Sequence, residues 1–516
     1  MSTSALDAAW VLPHPGRLAA QRAAQLLIRD GLIVSVNDLP GSKTTSQSPA
    51  DPIMMPLGGA PEQRIIVPAL ANAHDHARGW RQSALGLPRS PLESWLPTLS
   101  LVPGVDPYLV AAASFSRSLR AGVTSAMVHY TRWQGVVDPI FEALAVARAA
   151  RDTGLRIAFA PSLRDRQPLA YCDSKRVLSA LRPGIRSEVE RRLAAPMPPA
   201  NEQFARAHAI ASSIETAGLS SAASFQYGPT GVQWCSDALL GAIAAASANT
   251  DRPVHMHLLE TRYQREWADR TYPDGIVRHL DRIGLLSPRL TLAHCTWARP
   301  EELALLAERD VTIAVNTSSN LSLKSGIAPV SAMIEAGCRV ALGLDGMAFD
   351  EDDDILREMR LAGALHRGWG YEQVFDDGTL WDMAASHGRR AVLGAARDRE
   401  IPGGRLAAGH AADCLVLERH ALDDQLLADD SDPTGALFSR GQAAQIRDVI
   451  AQGKIVVENG RVCGVDEAQI RHALREAVRS AIAADADWPQ WRRTIMDLGE
   501  DLGPFHRSDA FLGCCN

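Results

Sequence analysis

The sequence predicts an α/β chain, a (β/α)8 TIM barrel carrying a small β-sandwich domain formed by both chain ends. Two observations lead there. Between residues 68 and 397, apolar runs of strand length alternate eight times with amphipathic helical text, the pattern of parallel strands wrapped by helices. Outside that stretch, hairpin-rich text stands at both ends, in residues 1–67 and again in 398–466.

Near the N-terminus, Ala9-Trp-Val-Leu and Gln25-Leu-Leu-Ile-Arg-Asp-Gly-Leu-Ile-Val-Ser-Val read as strands. The second is broken by Asp30-Gly31, a dipeptide that accepts the positive φ of a tight hairpin. Polar text from Gly41 to Pro61 reads as a loop. The barrel strands are expected at Ala69 to His74, Val123 to Tyr130, Arg156 to Pro161, Ala223 to Tyr227, Pro253 to Leu258, Leu290 to His294, Val311 to Asn316 and Arg339 to Asp345. Helical text such as Asp138-Pro-Ile-Phe-Glu-Ala-Leu-Ala connects them. A doubly wound sheet is the rival, but no Gly-x-Gly-x-x-Gly follows the first strand. Hairpin text returns at Ala412-Asp-Cys-Leu-Val-Leu and around Gln452-Gly-Lys, and residues 467–516 read as a helical tail followed by a loose end with Trp488, Trp491 and Phe505, packed on its own domain in preference to covering the active-site mouth or a neighbouring subunit.

Composition narrows the function. The chain has 516 residues, 46% apolar and 22% charged, ample for a large core. A net charge of −7 and a pI near 6.1 leave no basic footprint, so nucleic acid and anionic membrane are not expected partners. No apolar run has membrane length, and Met-Ser-Thr-Ser-Ala-Leu-Asp lacks the layout of a secretion leader, so a cytoplasmic protein acting on small molecules is expected. Eight cysteines, with no Cys-x-x-Cys, read as reduced thiols.

Chemistry concentrates at strand ends. His74 and His76 share one face of an extended strand, because side chains alternate with period two, and such a pair can chelate one metal ion. His255 and His257 form a second pair on the fifth strand, His294 ends the sixth and Asp345 the eighth. Barrel enzymes place their reacting groups at this rim, so these residues point to a metal site.

The pattern resembles the amidohydrolase superfamily, within it the cytosine, guanine and S-adenosylhomocysteine deaminase and chlorotriazine hydrolase branch. The resemblance rests on Pro68-Ala-Leu-Ala-Asn-Ala-His-Asp-His, His257-Leu-Leu-Glu-Thr, Leu292-Ala-His-Cys, Ser319-Asn-Leu-Ser-Leu-Lys-Ser-Gly-Ile-Ala-Pro, Leu342-Gly-Leu-Asp-Gly and Pro402-Gly-Gly-Arg-Leu-Ala-Ala-Gly-His-Ala-Ala-Asp. It implies one divalent metal, Zn2+ or Fe2+, on His74, His76, His257 and Asp345, with a water made acidic by the metal and Asp345 taking its proton. It further implies Glu260 as proton shuttle and His294 as hydrogen-bond partner of the water or the developing oxyanion. The His-x-x-Glu spacing selects His257 over His255, which is left to orient a ligand or line the pocket. The two-metal branch uses a lysine on strand 4, and Ala222-Ala-Ser-Phe-Gln-Tyr-Gly-Pro has none.

Substrate contacts are expected from Arg78, Trp80, Arg81 and Gln82, where the spacing after His76 departs from the family's, and from Gln226, with Arg164 and Arg166 as further candidates. The acidic run Asp350 to Asp354 is expected to cap a helix rather than bind metal. The implied function is deamination of an amino-substituted heterocycle (pyrimidine, purine, pterin or triazine), in a homodimer or larger homo-oligomer. Hydrolysis of a cyclic amide, formimino group, urea or halide is the near alternative, and a non-catalytic scaffold the remote one.

Overall fold

Eight short parallel strands follow one another around a ring in the computed structural model, which describes residues 3–39, 52–87, 89–166, 169, 171, 173–195, 197–346, 351–425 and 430–514. They are β1 (Leu70–Asp75), β2 (Val123–Tyr130), β3 (Arg156–Leu163), β4 (Ala223–Phe225), β5 (Val254–Leu258), β6 (Leu290–His294), β7 (Thr312–Val315) and β8 (Arg339–Leu342). All eight expected strands are present, with β7 and β8 shorter than their apolar text. Ladders join β1 to β4 in one sheet and β5 to β8 in another. Bridges from Tyr227 to Val254 and from Gly231 to His257 join the sheets on one side. On the other, the Leu344 and Asp345 N–H groups donate to His74 O at 3.1 and 2.9 Å. Gly343 lies at that second seam because a Cβ there would stand 2.2 Å from Asn316 Oδ1 and 2.9 Å from His74 Cβ.

Both chain ends enter one nine-stranded sheet. Arg64–Pro68 is the join, parallel to Ser4–Val11 and antiparallel to Cys414–Glu418. The Asp30-Gly31 hairpin forms as expected, with φ of 53° and 77° at its two turn residues. Leu6, Leu26, Ile33, Ile66, Val416 and Ile450 give this sheet its own apolar cluster. Asp413 ties it to the ring, accepting from Arg389 Nη1 at 2.8 Å, from Arg156 and from Gln452 N. Of the expected loop at 41–61, residues up to 51 lie outside the described residues; Ile53–Met54 then pairs with Ser4–Val11.

The tail packs on its own chain as two helices, Glu467–Ala484 and Trp488–Arg507, the second standing where a loose end with Trp488, Trp491 and Phe505 is expected from the sequence. Trp491, Ile495, Leu498 and Leu502 make the buried stripe of the second, spaced as one helix face. This helix lies over two insertions of the ring. Trp488 Nε1 donates to Leu101 O at 2.9 Å and Ser94 Oγ to Gly499 O at 3.2 Å, while Arg182 pairs with Asp497, Glu500 and Asp501. No helix among the described residues is long and apolar enough to cross a membrane.

The acidic run has protein partners. Asp354 caps the helix Ile355–His366 through Arg357 N, Asp353 binds Arg117 and Ser118, and Asp352 pairs with Arg357; Asp350 lies outside the described residues. In that helix the buried Glu358 accepts Ser318 N–H at 2.9 Å, holding the start of the short helix Thr317–Ser322. Burial pushes its carboxyl from 4.5 up to about 7, against the opposing hydrogen bonds of Ser318. The folded state therefore keeps a proton that the unfolded chain has shed. Its stabilising effect is complete below the unfolded value and is lost as pH rises through about 7, a change on the order of 3 kcal/mol. Glu358→Gln, which keeps the accepting oxygen, is expected to match the wild type in urea unfolding at pH 5 and to exceed it at pH 8. The same pH dependence in both proteins would refute this.

Candidate metal centre

The ends of β1 and β5 and the segment after β8 bring His74, His76, His257 and Asp345 together, with one ligand atom from each within 4.8 Å of the others. His76 Nε2 and His74 Nε2 stand 2.8 and 3.3 Å from Asp345 Oδ1. The second nitrogen of each ring is already engaged. His74 Nδ1 meets His255 Nε2, His76 Nδ1 donates to His129 O and His257 Nδ1 donates to Thr230 O, each at 2.7 Å. These bonds fix the ring orientations and leave Nε2 of each for a common ligand.

The backbone is shaped for this convergence. Asp75 accepts from His76 N, Ala77 N and Asn72 Nδ2, bracing the turn that ends β1. Ala77, His294 and Asp345 all adopt left-handed φ, at 52°, 76° and 53°, a conformation non-glycine residues take at a cost of order 1–3 kcal/mol. Such strain persists because the neighbours impose it. Ser319 Oγ, for example, donates to Asp345 Oδ2 at 2.5 Å.

Electrostatics match a divalent cation. Burial pushes the His257 imidazole down to about 3 and lowers His74 as well, so both rings are neutral. Burial alone would raise Asp345, but hydrogen bonds from His74 and His76 hold it well below the carboxylate range. Neutral imidazoles around an ionised carboxylate are the donor set of a tetrahedral zinc site. His74 Nε2, fully buried with only Asp345 Oδ1 near it at 3.3 Å and in poor hydrogen-bond geometry, is an atom such an ion would satisfy.

Glu260 stands beside this centre. Ser325 Oγ donates to its Oε1 at 3.3 Å, and its Oε2 lies 3.7 Å from His294 Nε2. Burial pushes its carboxyl up to about 7; His294 opposes that and Asp345 adds to it. Near neutral pH it can therefore both hold and release a proton. His294 Nδ1 is 2.9 Å from Asn320 Oδ1, which sets the ring.

A cavity of about 260 Å³ opens above His76, His257, Glu260, His294 and Asp345. Leu92, Trp95, Leu96 and Trp234 line its apolar wall, and Arg78, Arg132 and Arg164 also face it. Arg78 is where the sequence places it, donating to Asp345 O at 2.9 Å with its guanidinium 4.9 Å from the Trp95 ring. The expected contacts from Trp80, Arg81 and Gln82 need correction. The left-handed turn at Ala77 carries the chain outward, so Trp80 packs on the core, Arg81 donates to Glu351 O, and Gln82 accepts from Trp95 Nε1. Gln226 also turns from the cavity, donating to Ala391 O and Val392 O. His255 is buried behind His74 and orients it rather than touching the cavity. Arg166 does not line the cavity; Arg164 does.

The sequence reading passed over Arg132 and His129. Both stand at or just beyond the end of β2, where the strand-end rule could have found them. His129 stacks on His257 at 4.8 Å. Trp95 and Trp234 come from insertions and carry no spacing signal.

A family model described as the amidohydrolase family matches residues 65–456. A 5'-deoxyadenosine deaminase of Methanothermobacter thermautotrophicus is 28% identical over 469 residues, 88% of this chain and 94% of the relative. A 5-methylthioadenosine/S-adenosylhomocysteine deaminase of Desulforudis audaxviator is 30% identical, over 81% of this chain and 86% of its own. Among solved structures, a zinc-bound adenosine deaminase from Xanthomonas campestris superposes with a TM-score of 0.72 at 22% identity, covering 93% of this chain and 99% of that one.

Metal loading tests the centre directly. The wild type is expected to carry about one zinc per chain by elemental analysis, and zinc at a hundredfold excess over its Kd should stabilise the fold by about 3 kcal/mol. Asp345→Asn and His257→Ala should lose both effects, and a zinc response retained in both variants would remove these residues from the ligand set.

Proposed function

The chain belongs to the amidohydrolase family, and on that premise we propose that it is a mononuclear metal-dependent aminohydrolase that replaces the amino group of a nitrogen heterocycle with oxygen and releases ammonia. One observation carries the reading: His76, His257 and Asp345, with His74 buried against them, and the buried carboxyl of Glu260 meet at one cavity. The reading takes the ring as a (β/α)8 barrel over residues 68–397. Residues 1–67 and 398–466 are its β-sandwich and 467–516 its tail. Zinc is the proposed ion, with Fe2+ the alternative, and a cytoplasmic homo-oligomer the proposed setting.

Held by His74, His76, His257 and Asp345, the ion would polarise the substrate and lower the pKa of a water toward neutrality. Asp345 takes the proton that the attacking water sheds. Glu260 gives its own proton to the ring nitrogen beside the reacting carbon, relays the proton held by Asp345 to the departing amine, which leaves as ammonia, and recovers a proton from the added hydroxyl as that becomes the carbonyl oxygen. His294, its ring set through Nδ1 by Asn320 and Asn316, turns Nε2 to the site and orients the attacking water. One water enters and one ammonia leaves.

The names of the relatives support 6-aminopurine nucleosides as the first substrates to try. Arg164 adds a bias of its own. Among the described residues no carboxylate contacts its guanidinium, and the adjacent Asp165 spends both oxygens on Ser236. A half-buried cation left so favours a heterocycle that carries acceptor groups beyond the ring.

A panel of aminopurine nucleosides, aminopyrimidines, pterins and aminotriazines, assayed for ammonia with zinc-loaded protein, tests the reading. Glu260→Gln is expected to lower kcat by about 10²–10⁴-fold with KM within a few-fold. Turnover without ammonia would move the assignment to a cyclic amide, formimino, urea or halide substrate, and an unimpaired Glu260→Gln variant would reject the proton shuttle.

A further inference from the structure

A second buried carboxylate stands behind Glu260 and takes part in no step above. Glu93 belongs to the short helix Leu92–Trp95, whose Leu92 and Trp95 line the cavity. Its Oε1 accepts from Thr261 Oγ1 at 2.6 Å and from Tyr171 OH at 2.8 Å. Thr261 directly follows Glu260 and caps the helix Arg262–Thr271, accepting Gln264 N–H at 3.3 Å. Gln264 then accepts the Glu260 N–H on Oε1 at 2.9 Å and donates from Nε2 to the Tyr171 oxygen at 3.4 Å. Glu93, Thr261, Gln264 and Tyr171 thus close a ring of hydrogen bonds against the backbone that aims Glu260.

That backbone needs holding. Leu259, just before Glu260, sits at a left-handed φ of 50°. A carboxylate is also a costly residue to bury, and a packing role alone would be served by an apolar side chain. Glu93 Oε1, accepting both the Thr261 and the Tyr171 hydroxyl, links the cavity-lining helix Leu92–Trp95 to the Glu260 turn. The C-terminal tail backs this link. His506 and Phe511 pack on Tyr171 with ring centres 6.0 and 6.2 Å away, and on Tyr263 at 5.2 and 5.6 Å.

We propose that Glu93 is a positioning residue for Glu260: through Thr261 and Tyr171 it holds the Leu259–Thr261 turn in register with the cavity roof, and the C-terminal tail holds Tyr171 in place. The proposal rests on the reading of Glu260 as proton carrier. In zinc-loaded full-length protein, Glu93→Gln is expected to lower kcat about 10-fold with KM within about 3-fold, since a small misplacement of a reacting group costs rate more than binding. Hydrogen exchange in a peptide spanning residues 258–264 should accelerate about 10-fold while the global Tm stays near the wild type. Tyr171→Phe, which keeps the ring and loses only the hydroxyl, should repeat this signature where Glu93→Gln folds poorly. Thr261→Ser should restore wild-type behaviour that Thr261→Val loses. Kinetics within twofold of the wild type, or a raised KM and lowered Tm with unchanged exchange in 258–264, would overturn the proposal. Should Glu260→Gln remain fully active, the proton-carrier reading falls, and the exchange measurement still decides whether Glu93 holds the turn.

Discussion

The backbone hydrogen bond from Asp345 N to His74 O, 2.9 Å long, does two things at once. It stitches the last strand of the ring to the first, and it sets a carboxylate against two imidazoles. Closure and ligand convergence are therefore one constraint. Gly343 belongs to it as well, since any side chain there would force β8 away from β1 and open the site. The left-handed φ of Asp345 follows from the same geometry, because the chain must leave β8 and turn its side chain over the ring mouth.

Burial then decides the charge state of what converges. Removing His74 and His257 from water disfavours their cationic forms, while imidazole donors keep Asp345 ionised. Glu260 is buried too, but among the described residues its oxygens meet only the Ser325 hydroxyl and a His294 nitrogen at 3.7 Å, so desolvation prevails and its carboxyl rises to about 7. Two carboxylates in one cavity thus differ in their hold on a proton through the number of donors each receives.

Residues at or just beyond the ends of regular strands were legible in the sequence. His74, His76, His257, His294 and Asp345 could be placed because strand ends impose one rim and period two imposes one face. The Asp30-Gly31 turn was legible for the same local reason. What could not be read is the roof. Trp80, Arg81 and Gln82 turn to the core, to Glu351 and to Trp95, and the left-handed φ of Ala77 just before them leaves no signature in an alanine. Trp95 reaches the cavity from an insertion that the tail overlies hundreds of residues away in sequence, and no periodicity connects Leu101 with Trp488.

This division between floor and roof bears on specificity. The floor is held by backbone ladders and short bonds to ring nitrogens, so it can change little without losing the metal. The roof is assembled from two insertions clasped by one helix, through Arg182, Ser94 and Trp488. Its contacts are side-chain and partly exposed, which makes them individually weak and replaceable. Substrate choice can therefore vary in Leu96, Trp95, Arg132 and Arg164 while the reacting groups stay in place. Glu93 is the exception that joins the two layers, because a change of roof that displaced it would also release the Thr261 hydroxyl and with it the turn that aims Glu260.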